Sequence, residues 1–567
     1  MNRMIIAALA ASVAAAAAAD VNINLSAGQK PIKDMSKAGC NRGIGFNAAM
    51  ESIWSVGTDD YWFTENREHT ATKLREAGAN LLRLQCMNSW FRRGGEKDPK
   101  KRPSNPKAAF DFYKANGIKV FVCLECGHED DKNADATVAE NLEIIKWIVD
   151  NGYKGVVAGF ECGNETYGDS RYAQKAAVWK KIIDGGIAIW GKDIQFGINI
   201  AEFFELNPDI KHIRDRMMSN QDFKRDWTHA GAYFTAANFN KFSSQFVVKM
   251  KEIGALDNVS HVIWHAYGAE TPYSCSYHGI QRFRNYVEAF PELKGKQWWL
   301  TEIRPRSDED NQCQRQFREA LVMGHYTLTA LSQPEVDCFN HHQLTALSGA
   351  IYQSDGRKWY VQWYNGSQEE LPDFRSGYGK PHIDVGAMGV VYRTLGEGIA
   401  ECPVFLAHGI GDAKGGDWDW CASARLMDDT YARRRAIHEG RQDVPQVRGD
   451  VEWVLATNPG RDKFCLLMVN SRSTPEKVNL TIDEREFAAP TYRTVTCPEE
   501  FLDCNEIPGE EKPWRALCWE DTSRGYWTAD MSAYKGIKPV ATTLPVTIKP
   551  HTVQTVTFKT RRAPKRK

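Results

Sequence analysis

Neither sign of charge prevails in this chain: across 567 residues, 72 lysines and arginines balance 72 aspartates and glutamates. That balance gives no reason to expect a nucleic-acid partner, because phosphate binding draws on surplus basic charge. Two local exceptions stand out, Arg92 and Arg93 with Lys97, Lys100, Lys101 and Arg102, and the basic tail at 561–567, which reads as a solvated terminus. Beyond the first residues, no apolar stretch approaches the about 20 residues that cross a bilayer, so no membrane span is expected. The 14 cysteines avoid finger-like zinc spacings, and Cys123 with Cys126 forms a lone C-x-x-C inside an apolar run. His128, His341 and His342 show no spacing that suits a helix-borne metal site. No metal and no other cofactor is expected.

The N-terminus is informative. Arg3 supplies one positive charge, Ile5–Ala18 form a short apolar stretch, and Ala17-Ala18-Ala19 precede Asp20. Residues 1–19 therefore read as a signal peptide of bacterial type, and the protein as secreted or periplasmic. Export permits disulfides. Cys86, Cys123 or Cys126, and Cys162 fall near the ends of adjacent predicted strands, where small buried thiols filling a barrel interior are the simpler expectation. The about 550 remaining residues exceed one ordinary domain. Eighteen Trp, 20 Tyr and 25 Phe are enough for a large core and for flat apolar surfaces against sugar rings.

From residue 40 to 345 one unit recurs: an amphipathic helix, a terminating glycine, then a short apolar run. Leu74-Arg-Glu-Ala-Gly78 precedes Asn80–Gln85, Tyr113-Lys-Ala-Asn-Gly117 precedes Ile118–Glu125, and Val149-Asp-Asn-Gly152 precedes Val156–Glu161. Glycine there supplies the left-handed conformation that closes a helix. Thr137 with Glu140 resembles a capping box opening the third helix, with Leu142, Ile145 and Val149 on one face. Five further runs, Gly43–Asn47, Ile194–Ile200, His261–Tyr267, Gln297–Glu302 and Val336–His341, complete a set of eight. Their starts lie about 36–39 residues apart, except for roughly 67 between the fifth and sixth, as βα units closing a (β/α)8 barrel require. Runs without polar alternation fit parallel strands covered on both faces. The longer gap, Glu202–Ser260, is an excursion after strand 5, and Val385–Leu395 is the last barrel helix.

Past residue 400 the pattern changes. Val451–Thr457, Phe464–Asn470, Val478–Ile482, Pro545–Lys549 and Thr552–Phe558 alternate or are β-branched. Residues 401–560 thus read as an antiparallel β-sandwich, and the segment 20–39, through Val21–Leu25, as a strand joining it. The fold class is α/β, a barrel over 40–400 with a C-terminal sandwich.

Catalytic groups in such barrels project from the C-terminal strand ends. Those ends carry Arg83, Glu125 with His128, Asn164-Glu165, Asn199 with Glu202, His265 and Tyr267, Glu302, and Asn340-His341. Two carboxylates, on strands 4 and 7, thus face an opening lined with hydrogen-bonding groups. Glycoside cleavage needs that pair, one carboxyl protonated to release the leaving oxygen and one ionised to attack. Different surroundings must separate them: Arg83 and Tyr267 would keep Glu302 anionic, while the nearby negative charge disfavours ionisation of Glu165.

Gly163-Asn164-Glu165, Trp299-Leu-Thr-Glu302, His265-Ala-Tyr267 and Arg83, each at its strand, resemble the clan A glycoside hydrolases. The barrel with a sandwich part-built from the N-terminus looks most like the arabinofuranosidase, xylosidase and glucosylceramidase branches. The resemblance implies a retaining enzyme with Glu165 as acid/base and Glu302 as nucleophile. It implies sugar contacts from Asn164, with His265 and Tyr267 orienting the carboxylates and Arg83 holding the nucleophile. His128, Asn340 and His341 join these as substrate-binding candidates. Many clan members carry tryptophan at the end of strand 8, where this chain has Phe339-Asn-His341-His342. The expected partner is a carbohydrate. Arg92, Arg93, Arg304 and Arg306, after strands 2 and 7, read either as solvated loop charge or as a site for sulfate or carboxylate on an anionic glycan. The rival readings are a non-catalytic carbohydrate-binding barrel and a barrel lyase or aldolase. The latter needs a lysine or a metal cluster at strand ends, and neither is found.

Overall fold

The structure, a computed structural model, describes residues 20–26, 28–36, 43–48, 106–125, 133–166, 171–200, 231–267, 277–304, 317–342, 382–385, 387–411 and 543–562, most of 72–84 and 422–502, and scattered positions between. Residues 1–19, Arg92, Arg93, Cys126, His128, Glu202 and Arg306 lie outside the described residues.

Eight parallel strands close into a barrel in sequence order: Ile44–Ala48, Leu81–Leu84, Lys119–Leu124, Val157–Cys162, Phe196–Ile200, His261–Tyr267, Gln297–Arg304 and Val336–His342. Strand side chains alternate between faces, and here both faces are covered. Leu82, Val120, Val122, Phe160, Ile198, Val262, Leu300 and Phe339 belong to the apolar layer under the helices. Leu81, Phe121, Ile263, Trp299 and Cys338 fill the interior. That double burial is why the strands read as unbroken apolar runs. Cys162 belongs to the outer layer, so it does not fill the barrel as expected; Cys123 does face inward, 3.9 Å from Arg83 Nη2. The six described cysteines, Cys123, Cys162, Cys338, Cys402, Cys465 and Cys497, are all buried.

Helices Pro106–Asn116, Ala134–Asp150, Tyr172–Trp190, Gly231–Glu252, Tyr277–Ala289, Phe317–Leu331 and Ala387–Glu401 surround the strands. Gly117 and Gly152 close the first two with φ of 66° and 72°, conformations that glycine adopts without penalty. The helix at 134–150 starts after Asn133, so Thr137 lies inside it and forms no capping box. Its buried line is Asn141, Ile144, Ile145 and Ile148, with Leu142 and Val149 at the margin. Between the eighth strand and the last helix, two antiparallel pairs that the sequence reading did not foresee appear, Ile351–Ser354 with His382–Val385 and Tyr360–Gln362 with Gln368–Glu370. Among the described residues no helix is long and apolar enough to cross a membrane.

The sandwich has a large antiparallel sheet built on Val404–Ile410, Val451–Thr457, Lys463–Asn470, Thr552–Arg562 and Thr491–Thr496. A three-stranded sheet covers one of its faces, in which Val21–Leu25 pairs in parallel with Val478–Ile482 and Thr543–Ile548 flanks the other side. Val21, Ile23, Trp453, Leu466, Met468, Leu480 and Val546 form the core between the sheets. Val454, Ala456, Leu467, Val469 and Val553 point the other way and merge with the apolar layer of the barrel helices. Polar groups cross this seam too, among them a cluster at Glu452. Buried Glu452 accepts from His325 Nδ1 at 2.9 Å, His408 Nε2 at 2.7 Å and Thr329 Oγ1 at 2.6 Å. The N-terminal segment also reaches the barrel floor, where Lys33 Nζ donates to Asp337 Oδ1 at 3.3 Å.

Candidate active site

Arg83 is the inward residue near the end of the second strand and is wholly buried. Its Nη1 donates to Glu302 Oε1 at 2.5 Å, its Nη2 to Asn164 Oδ1 at 2.8 Å, and its Nε to Glu161 Oε2 at 2.8 Å. Burial alone would favour a neutral guanidine, but the charges of Glu161 and Glu302 outweigh it and hold Arg83 charged well beyond its ordinary range.

Glu165 leaves the fourth strand on an unusual backbone. Gly163 has φ 86° and Glu165 itself φ 48°, a left-handed conformation that few non-glycine residues adopt. The turn is held by Gly163 N donating to Glu161 O at 3.0 Å and by Asn199 Nδ2 donating to Gly163 O at 2.5 Å. Strain of this kind gathers at functional sites because the surroundings can afford to impose it.

Glu302 reaches the interior through a bulge. On the sixth strand, Trp264 and His265 are consecutive, yet they pair with Leu300 and Glu302. Thr301 is the extra residue, and the eighth strand shows the same slip between Phe339 and His341. Both Thr301 and Glu302 therefore turn inward, the re-aiming that bulges beside active sites provide. His265 sits between the carboxylates. Its Nδ1 is 3.0 Å from Glu165 Oε1 and 3.7 Å from Glu302 Oε2, and its Nε2 is 3.2 Å from Thr301 Oγ1. With the Thr301 hydroxyl donating to Nε2, Nδ1–H is left to donate to Glu165. The two carboxylates differ in exposure, 40 % for the Glu165 side chain against 4 % for that of Glu302.

The eighth strand supplies a different histidine from the one expected. His341 points outward, its Nδ1 3.1 Å from the hydroxyl of Tyr392 on the last helix, so it does not line the opening. Its neighbour His342 faces inward, with Nε2 3.8 Å from Glu302 Oε2. Asn340 also faces inward but one layer lower, paired with Gly45, and is fully buried. Tyr267 occupies the last position of the sixth strand, in register with Arg304; only the strand positions of these two are described. The structure thus gathers Arg83, Asn164, Glu165, His265 and Glu302 at one mouth. It adds Glu161, Thr301 and His342, none of them a site candidate from the sequence. Period-two alternation would have assigned Glu161 inward, whereas the bulge leaves no trace in composition.

Glu165, His265 and Glu302 present ligand atoms within 4.8 Å of one another, a set that could seat a cation. Arg83 already spends its charge on Glu302 there, which opposes a second positive charge at the same carboxylate.

No family model matches the sequence, and no curated protein matches it. Solved structures do share the fold. The α-L-arabinofuranosidase from Thermotoga maritima aligns with TM-score 0.57 and 11 % identity, over 95 % of this chain and all of that one. The GH51 arabinofuranosidase from Xanthomonas axonopodis pv. citri gives 0.54 and 11 % over the same shares. A GH39 β-xylosidase from Caulobacter crescentus gives 0.50 and 12 %, covering 96 % of this chain and all of that one. At such identity the likeness is one of fold, and the chain has the barrel-and-sandwich architecture of these clan A glycoside hydrolases.

Proposed function

We propose that this chain is a retaining glycoside hydrolase, cleaving a poly- or oligosaccharide by double displacement with Glu302 as nucleophile and Glu165 as acid/base. The observation that carries the reading is the carboxylate pair: an oxygen of each lies within 4.8 Å of the other, both against one histidine, in unequal surroundings. Direct attack needs carboxyl groups about 5–5.5 Å apart, whereas an intervening water needs about 6.5–9.5 Å.

In this scheme Arg83 holds Glu302 Oε1 and leaves Oε2 to attack the anomeric carbon. The more exposed Glu165 gives its proton to the departing oxygen, then takes one from the water that releases the sugar. His265 keeps the two carboxylates in register throughout. Asn164 accepts from Arg83 through Oδ1, which leaves its amide hydrogens for a sugar hydroxyl.

Two variants test the assignment. Glu302→Gln should abolish turnover on glycans while retaining sugar binding, and Glu165→Ala should recover in part with azide or with activated leaving groups. General acid catalysis is typically worth about 10²–10⁴-fold, so a loss below tenfold at either position refutes the roles. The first product followed by NMR should retain its anomeric configuration. Sugar binding without turnover in the wild type would instead make the barrel a carbohydrate-binding protein.

A further inference from the structure

We infer that Glu161 is a positioning residue for the reaction: it shares the Arg83 guanidinium with Glu302, and so sets both the orientation and the charge of the attacking carboxylate. This rests on the nucleophile role proposed for Glu302. Glu161 lies four residues before Glu165, inward on the fourth strand, with no exposed surface. Its Oε2 accepts from Arg83 Nε at 2.8 Å and lies 2.7 Å from Nη2. Its Oε1 is buried and has no hydrogen-bond partner among the described residues. Arg83 is thus its whole recognition, an expensive way to place a carboxylate that only fills space.

The planar guanidinium cannot satisfy Glu161 through Nε and Nη2, Glu302 through Nη1 and Asn164 through Nη2 while turning about its axis. Fixing that plane fixes Glu302 Oε1 and aims Oε2 at the cleft. The charges matter as well. One buried cation between two buried carboxylates leaves a net negative charge across the three groups. An arginine devoted to Glu302 alone would neutralise it and hold its electrons back from the sugar. Among the described residues, the other titratable groups near this assembly are the Cys123 thiol, 3.9 Å from Arg83 Nη2, and Glu165, His265 and His342 around the far side of Glu302.

The test compares wild type, Glu161→Gln and Glu161→Asp by 13C NMR titration of glutamate-labelled protein, alongside steady-state kinetics. The Glu302 resonance is identified by its loss in Glu302→Gln. Removing the like charge in Glu161→Gln should lower the Glu302 midpoint by at least about half a pH unit, because ionisation becomes easier. Turnover should fall about 10- to 100-fold from the lost alignment, with KM within threefold. Glu161→Asp keeps the charge but shortens the reach, so its midpoint should stay at the wild-type value while kcat falls. An unmoved Glu302 midpoint, or unchanged kcat per folded molecule, in Glu161→Gln overturns the inference. So does failure of both variants to fold, which would make Glu161 a folding residue. Because the titration needs no substrate, a wild type that cleaves no glycoside defeats the enzyme reading while the Glu161–Glu302 coupling is still measured.

Discussion

The barrel floor offers a sharp test of how tightly this interior is built. Trp299 on the seventh strand lies in a slot made by two glycines. A methyl group at Gly159 would overlap its Cη2 and sit 2.9 Å from its Cζ2 and 3.2 Å from its Cζ3, and one at Gly197 would sit 2.8 Å from its Cε3. Carbon atoms rest about 3.5–4.0 Å apart, so Gly159→Ala requires the indole to withdraw by more than about 1 Å. It has nowhere to go. His261 stacks on it at 3.9 Å and 18°, and Phe121 lies at 4.5 Å. Overpacking usually costs about 1–3 kcal/mol, and a rigid ring held on three sides belongs at the upper end, about 3 kcal/mol. That lowers the folded-to-unfolded ratio by about two decades. Urea unfolding followed by tryptophan fluorescence measures it. Gly155→Ala serves as control, because its added methyl meets nothing within 4 Å. Trp299→Phe combined with Gly159→Ala should recover part of the loss, since the smaller ring empties the contested space. Trp299 lies two residues before Thr301, so the activity of Gly159→Ala should fall with its stability. A Gly159→Ala midpoint equal to that of Gly155→Ala refutes the reasoning.

The seam between barrel and sandwich carries two further predictions. Burial would push the Glu452 carboxyl up, but the hydrogen bonds from His325 and His408 outweigh it and hold the group below its ordinary 4.5. Its stabilisation is therefore complete above pH 4.5 and is lost as pH falls through the lower folded-state value, so urea midpoints should drop in acid and Glu452→Gln should flatten that dependence. Equal acid sensitivity in the two proteins would count against the cluster. Truncation at about residue 400 strips Val454, Leu467, Val469 and Val553 from the barrel helices, so the remaining barrel should be insoluble. A soluble, active truncated barrel would overturn this.

The sequence revealed the features that burial writes into composition. Eight apolar runs mark the barrel strands because both strand faces are covered, and Val451–Thr457 is visible through its apolar and β-branched residues. What it concealed depends on tertiary geometry. The bulge at Thr301–Glu302 is invisible in residue types, and it decides which atoms of the seventh strand face the cleft. On the eighth strand, counting inward residues from Cys338 gives Asn340 and His342, so alternation would have chosen His342 over His341. Asn133 precedes the helix that Thr137 seemed to open, because a capping pattern within a long helix resembles one at its start. The short strand pairs between 351 and 385 carry no run long enough to stand out.

The parallel pairing of Val21–Leu25 with Val478–Ile482 bears on how the molecule is made. Val21–Leu25 must wait for a partner more than 450 residues behind it, with the whole barrel synthesised in between. Closing so long a loop is slow, and local contacts form ahead of it. The expected order is therefore barrel first and three-stranded sheet last. The barrel sits inside the sandwich as an insertion, and no single cut in the polypeptide separates the two. Until its partner arrives, Val21–Leu25 is an unpaired strand with one apolar face, a site at which a newly made chain is prone to aggregation.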